Sequence, residues 1–217
     1  LGPLYVADFL KPNEEPRHPP VELKLLLNDD GVAVLEKSAP DEVMWGEKYW
    51  YRSSINSIMR AQLKDVVDSI LKVFEIKKDE IFLDIASNDG FLLSCVPEKL
   101  TRVGIDPAND SFRLECERHA DLVIQDYFSA EVFKKSKYGH KNAKVITTIS
   151  MFYDIQNPDV FINQVSQVLD DNGLWVLQLS YSPLMIEQLE FSNVCHEHFA
   201  YYSLFNLKKI LERGQFQ

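Results

Sequence analysis

The sequence predicts an α/β fold, a parallel sheet covered by helices on both faces and preceded by a small irregular β lobe. Three observations carry that expectation. From residue 54 onward, short aliphatic and β-branched runs alternate with amphipathic stretches of helical period, the order that gives right-handed crossovers and a parallel sheet. One run, 81–85, passes through a loop of small residues straight into the helical start Phe91, Leu92 and Leu93. Pro3, Pro12, Pro16, Pro19, Pro20 and Pro40 crowd the first forty residues, which excludes long helices there.

Within the lobe, 21–27 and 32–35 read as the strands of a hairpin, with Asn28, Asp29, Asp30 and Gly31 supplying an Asp-Gly type of turn. Trp45, Tyr49, Trp50 and Tyr51 add an aromatic cluster suited to packing the lobe. Apolar residues at 55, 58, 59, 63, 66, 67, 70, 71 and 74 predict a helix over 54–74, with Ser53 or Ser54 as its cap. Five strands follow, at 81–85, 102–105, 122–124, 145–149 and 174–179, the last after a turn at 170–173. The intervening helices are expected from 91, over 111–118, 130–135 and 158–169. A final helix at 204–213 would be capped by Ser203 and ended by Gly214. The division is therefore a lobe at 1–54 and a sheet domain at 55–217.

A chain of 217 residues, 46% hydrophobic and 26% charged, can bury a sizeable core and reads as a soluble globular protein. Its net charge of -10 argues against a nucleic-acid partner, and Lys134, Lys135, Lys137 and Lys141 read as a solvated loop face. Cys95, Cys116 and Cys195 are odd in number and widely spaced, so neither a disulfide framework nor a metal site is expected, and a reducing cytoplasm is the default location. No apolar run approaches the ~18 residues that span a bilayer, and no signal peptide is visible, so no membrane partner is expected. The chain begins at Leu1 and stops just beyond its last helix, which suggests a segment of something longer.

The loop after 81–85 defines the ligand. Asp84, Ser87, Asn88 and Asp89 surround a single glycine, Gly90, whereas a dinucleotide fold brings several glycines against a pyrophosphate. Acids here would repel phosphate. A second strand ends in Asp106, about 20 residues on, the position from which an acid grips a ribose. A phosphate-free, partly cationic nucleoside fits, and S-adenosylmethionine has both the sulfonium and the ribose. The plainer alternative, that Asp84 and Asp89 cap the next helix, leaves Asp106 unexplained.

Two histidines flank Glu197. On an extended segment alternate residues face opposite ways, so His196 and His198 do not readily share an ion. A histidine beside a carboxylate can instead serve as a general base, or the pair can be structural. Tyr201 and Tyr202 nearby favour catalysis.

With these residues the chain resembles the sugar C-methyltransferase family that acts on nucleotide-linked keto-deoxysugars. The matching motifs are Leu1-Gly-Pro-Leu with Ala7, Asp8 and Leu10; Tyr49-Trp-Tyr51-Arg-Ser-Ser54; Asp84-Ile-Ala-Ser-Asn-Asp-Gly90; Gly104-Ile-Asp-Pro107; Ser150-Met-Phe-Tyr-Asp154; and Cys195-His-Glu-His198 with Tyr201-Tyr202-Ser203. The resemblance implies a Rossmann-like class I methyltransferase fold and S-adenosylmethionine as cofactor. It implies His198 as the base that takes a proton beside a ketone, assisted by Glu197, with Tyr51 lining the same site; the chemistry also needs an enolate-stabilising donor, which Tyr51 or His196 could supply. The cofactor set it implies is Asp84, Ala86, Ser87, Asn88, Asp89, Asp106, Pro107, Asp126, Tyr127, Phe128, Ser150 and Phe152. Asp106 would hold the ribose and Asp126 would lie near the adenine amine. The partner implied is a small-molecule acceptor of the nucleotide-sugar type.

The chain departs from that family in three ways. No cysteine precedes Cys95, where the family carries zinc cysteines; Cys195 stands in place of a tyrosine; and the last sheet strands and a further domain are missing. O-methylation of a small molecule, or binding of the cofactor without turnover, are the alternatives these residues leave open.

Overall fold

A computed structural model describes residues 2–6, 11–16, 18–45 and 49–216. Leu1, Ala7, Asp8 and Leu10 of the first motif lie outside the described residues. In chain order the elements begin with β1 (Gly2–Leu4), β2 (Val21–Leu23), β3 (Leu25–Leu27), β4 (Ala33–Leu35), α1 (Asp41–Met44) and α2 (Ser57–Val73). Next come β5 (Ile81–Ile85), α3 (Phe91–Cys95), β6 (Thr101–Ile105), α4 (Asp110–Cys116), β7 (Leu122–Ile124), α5 (Ala130–Lys134) and β8 (Ala143–Ile149). A 3-10 turn at Phe152–Asp154 precedes α6 (Pro158–Ser166), β9 (Leu169–Gln178) and α7 (Ser182–Glu187). A second such turn, Phe191–Asn193, leads to β10 (Ala200–Tyr201) and α8 (Leu204–Arg213).

These elements form two compact units that interleave along the chain: 49–149 with 163–177, and 1–48 with 150–162 and 178–217. The first is built on a five-stranded sheet of order β7-β6-β5-β8-β9, in which β5 runs parallel to β6 and β8, and β6 to β7. All five residues of β5 are buried, as a central parallel strand covered on both faces requires. Leu63, Val67 and Ile70 recur at helical spacing on α2 and pack with Phe82, Leu92, Leu93, Val96 and Val145 in one core.

The cap of α2 differs from expectation. The helix starts at Ser57, so Asn56, not Ser53 or Ser54, accepts the Ile58 N–H, while the backbone N–H groups of the two serines donate to Asn88 and Asp89. The end of the sheet differs too. The residues 170–173, read as a turn, lie inside β9, where the Lys144 ammonium ties down the Asp170 carboxylate at 3.1 Å and the Asn172 carbonyl at 2.8 Å. Tertiary pairing overrides local turn chemistry there, and α6 ends at Ser166 instead of running to 169.

In the other unit β3 and β4 pair antiparallel as the expected hairpin. Asn28 holds its turn by accepting the Asp30 and Val32 N–H groups. Val21–Leu23 leaves that hairpin and pairs with β1 instead. β10 adds a strand to the outer side of β4. Helix α8 has its expected bounds and its Ser203 cap, and its last residue, Arg213, bridges Asp30 and Asp159.

Gly90 has φ +78, and a Cβ there would fall 2.7 Å from the Cys116 Cα. Gly90→Ala combines a left-handed backbone with a backbone clash, so it is expected to destabilise the fold by about 2–4 kcal/mol, read as a lower urea midpoint at unchanged slope.

Candidate functional site

The loop 86–90 is built from an unusual backbone. Ala86 and Asn88 adopt positive φ of 62 and 52 although neither is glycine, and Gly90 follows at 78. A chain held in that region by non-glycine residues is strained, and the surroundings must hold it there. They do so by hydrogen bonds. The Ala86 and Ser87 N–H groups donate to the Ile105 carbonyl, and the Asn88 N–H donates to Asp106 Oδ2 at 2.8 Å. Asn88 then reaches back: its Oδ1 accepts the Ser53 N–H at 3.0 Å and its Nδ2 donates to the Tyr51 carbonyl at 3.0 Å. Ser54 N–H donates to Asp89 Oδ2 at 2.8 Å, so the 51–54 segment is clamped onto the loop.

Three carboxylates share this corner. Register places Asp84 beside Thr147 on β8 and Gly104 on β6. The Thr147 hydroxyl donates to Asp84 Oδ1 at 2.6 Å, and Asp84 is 3% exposed. Burial pushes its carboxyl up to about 7, against the pull of the Thr147 hydrogen bond, and the charge of Asp106 adds to the rise. Asp106 is raised by burial as well, although the Ala108 and Asn88 N–H groups favour its ionised form. Asp89 Oδ1 accepts the Phe91 N–H at 3.3 Å, so the helix-capping role weighed for it is present. Among the described residues none of the three is paired with a basic side chain. The Cys116 thiol, donating to Ser87 Oγ at 3.6 Å beneath the loop, is pushed up to about 12 by burial and the same acids.

The remaining expected cofactor residues are placed unevenly. Pro107 is half-buried, Asp126 and Tyr127 are exposed after β7, and Phe128 is half-buried. Ser150 follows β8 with φ 55, its hydroxyl donating to the Gln178 Oε1 at 2.8 Å. Phe152 is fully buried, its ring 5.9 Å from Phe161 and 5.5 Å from Tyr202, which is a core position rather than a ligand-facing one.

The second cluster lies in the other unit, on the segment between the 3-10 turn Phe191–Asn193 and β10. His196 is 4% exposed and its Nε2 donates to the Val21 carbonyl at 2.9 Å. It anchors the segment to β2, so the enolate-stabilising role expected of it falls away. His198 Nδ1 lies 2.8 Å from the Asn193 carbonyl. A carbonyl only accepts, so Nδ1 carries the proton and the neutral ring keeps its lone pair on Nε2. The Asn193 carbonyl thus orients the ring. Burial lowers the His198 pKa, partly offset by the Asn193 carbonyl and the Glu197 charge. The Tyr153 ring packs edge-on against His198 at 4.4 Å. Tyr51 belongs to the first unit, half-buried, its phenol raised by burial and by Asp89.

Three further residues, given no role by the sequence, shape the two clusters. Thr147 and Thr148 are the polar residues among the buried positions of β8, a signal visible in the sequence. Arg52 donates to Glu115 at 3.1 Å and Ser111 at 2.7 Å and lies 4.1 Å over the Phe112 ring, fixing the clamped segment. Asp154 ends the Ser150 motif beside Tyr153. Among the described residues no group of three or more His, Cys, Asp or Glu side chains converges on a metal position, and no helix is long and apolar enough to cross a membrane.

Strand order, acids at the ends of two adjacent strands and a loop without a pyrophosphate glycine pattern define a Rossmann-like nucleoside-binding domain of the methyltransferase class. Residues 55–217 match the family described as a methyltransferase domain, and the chain belongs to that family. S-adenosylmethionine is the cofactor of such a domain. The chain is similar to the C-methyltransferase NovU of Streptomyces niveus, 26% identical over 172 residues, or 79% of this chain. It spans 40% of the length of that relative. Its fold is similar to the plantazolicin methyltransferase BpumL solved with a desmethylPZN analog and SAH, with TM-score 0.56 and 14% identity over 73% of this chain and 64% of that one. It is also similar to an O-methyltransferase family protein from Burkholderia thailandensis, with TM-score 0.56 and 13% identity over 76% and 54% of the two chains.

Asp84 makes stability depend on pH. Its folded carboxyl titrates at about 7 and an unfolded one at ~3.9, so folding favours the protonated form. That contribution is complete below pH ~4 and is lost as pH rises through about 7. Asp84→Asn cannot ionise and can still accept from Thr147. Relative to wild type it should therefore gain roughly 1 kcal/mol per pH unit between those limits, measured by urea denaturation at a series of pH values.

Proposed function

We propose that this domain methylates carbon next to a ketone in a small molecule, a nucleotide-linked keto-sugar being the acceptor class favoured, with His198 as the base. The observation that carries the reading is the tautomer of His198: Nδ1 is committed to the Asn193 carbonyl, which leaves Nε2 as a neutral base. The likeness to a C-methyltransferase supports it. So does the lowered His198 pKa, because a base must be unprotonated at working pH.

The acid corner fits the cofactor by its chemistry. Asp106 has both oxygens oriented by backbone N–H groups and keeps lone pairs for ribose hydroxyls. Asp84 and Asp89 favour a cation over a phosphate, and Asp126 is assigned to the adenine amine. Ala86, Ser87 and Asn88 leave the loop backbone open to close approach, with Pro107, Tyr127 and Phe128 completing the set. Ser150 is kept in the proposal; Phe152 is not.

In the proposed reaction His198 Nε2 takes the proton α to the carbonyl, and the C–H electron pair moves into the carbonyl to leave an enolate. S-adenosylmethionine, held by Asp84, Asp89 and Asp106, would supply the electrophilic methyl group for the carbon nucleophile, its sulfur keeping the C–S pair. His198 then releases its proton to solvent. Glu197 stabilises the imidazolium that exists between those two events.

His198→Asn is expected to slow methyl transfer by about 10²–10⁴-fold at nearly unchanged cofactor affinity. Wild-type turnover in that variant on a true acceptor would make His198 structural. Asp106→Ala is expected to weaken binding of S-adenosylhomocysteine by roughly 30- to 150-fold, and equal calorimetric affinities would remove the ribose assignment.

A further inference from the structure

Asp154 is a second titratable group of the His198 cluster, and the reaction just described does not use it. Its Oδ1 is shut off from solvent and has no hydrogen-bond partner among the described residues. The titratable groups around it are Glu197 on the His-Glu-His segment, Tyr201 on β10, which packs against the 3-10 turn carrying Asp154 and also meets Cys195, and His198, edge-on to the neighbouring Tyr153. No Lys or Arg acts on it among the described residues. Each of those neighbours is explained without it. The Tyr201 hydroxyl donates to the Cys195 carbonyl at 3.5 Å, and His198 Nδ1 donates to Asn193.

An ionised carboxylate in such a place would hold one oxygen sealed from water without a partner and would stand next to a like charge, which costs far more than holding a proton. A protonated one has the opposite property: it can place a donor on Oδ1, which has no acceptor among the described residues. We propose that Asp154 serves the His198 site as a carboxylic acid, its unpartnered Oδ1 reserved for an oxygen of the methyl acceptor. Burial and the Glu197 charge both hold its pKa well above the usual carboxylate range, in keeping with that geometry. The inference rests on the C-methylation reading. There the oxygen is the one that becomes enolate as His198 Nε2 takes the α proton, and a donor aimed at it is strongest when negative charge develops. Asp154 keeps its proton; only the hydrogen bond strengthens.

The state of the carboxyl is read directly by infrared spectroscopy on protein with ¹³C-labelled aspartate at pH 7. A protonated carboxylic-acid band that disappears in Asp154→Asn and persists in Asp84→Asn is expected; its absence from wild type overturns the proposal. The role is read by methyl transfer to a nucleotide-linked keto-deoxysugar. Asp154→Asn retains a donor and is expected to keep turnover within about tenfold of wild type, whereas Asp154→Ala should lose about 10²-fold in kcat. Wild-type activity should fall as pH rises through the Asp154 titration, and Asp154→Asn should lack that alkaline limb. The same limb in both proteins overturns the donor role. A wild-type protein that binds S-adenosylhomocysteine but turns over no such acceptor overturns the C-methylation reading, and the infrared band then decides the state of Asp154 by itself.

Discussion

Asp84, Asp89 and Asp106 sit in one poorly solvated corner without a single basic side chain paired to them among the described residues. Everything around the 86–90 loop follows from how that is tolerated. Each acid is satisfied by neutral donors: Thr147 for Asp84, the Ser54 and Phe91 N–H groups for Asp89, and the Asn88 and Ala108 N–H groups for Asp106. One of the N–H groups on Asp106 comes from Asn88, itself in the left-handed region, so the strain of the loop and the placement of the acid go together. Neutral donors cancel none of the charge these acids carry when ionised. Such a corner favours a cationic ligand and disfavours a phosphate.

Much of the fold is legible because its signals are local. β5, β7 and α8 have the bounds the residue pattern gives, since a buried strand flanked by turn residues and a capped amphipathic helix each announce themselves within a few residues. What is not legible is set by distant partners. Val21–Leu23 pairs with Gly2–Leu4, and Ala200–Tyr201 pairs with Val34 and Ala33. Strands of two or three residues carry too little pattern to name such partners. The 170–173 stretch fails for the reverse reason: its residues are strong turn formers, and pairing beside β8 outweighs them.

The same division holds for the site. Asp84, Asp106 and His198 could be picked out because a charged or titratable residue at a strand end or in a short motif is conspicuous. Their partners could not. The Asn193 carbonyl that fixes the His198 tautomer and the Val21 carbonyl that engages His196 are backbone groups, to which sequence identity is blind. Two histidines one residue apart are therefore alike in sequence and unlike in use: one is 4% exposed and tied to a strand, the other keeps a free ring nitrogen.

In the His198 cluster burial acts on groups of opposite sign at once. It lowers the pKa of a base, His198, and raises that of an acid, Asp154, so both are driven toward their neutral forms at neutral pH. An imidazolium–carboxylate pair between them, the arrangement water would favour, is thereby disfavoured twice. Glu197 acts on both in the same direction, opposing loss of a proton from either. Its charge moderates the fall of the histidine while deepening the rise of the acid. Two titratable groups pushed apart by one environment are the starting condition for dividing acid and base work between them. Here that condition is met by packing and a single carboxylate, without a metal ligand set among the described residues.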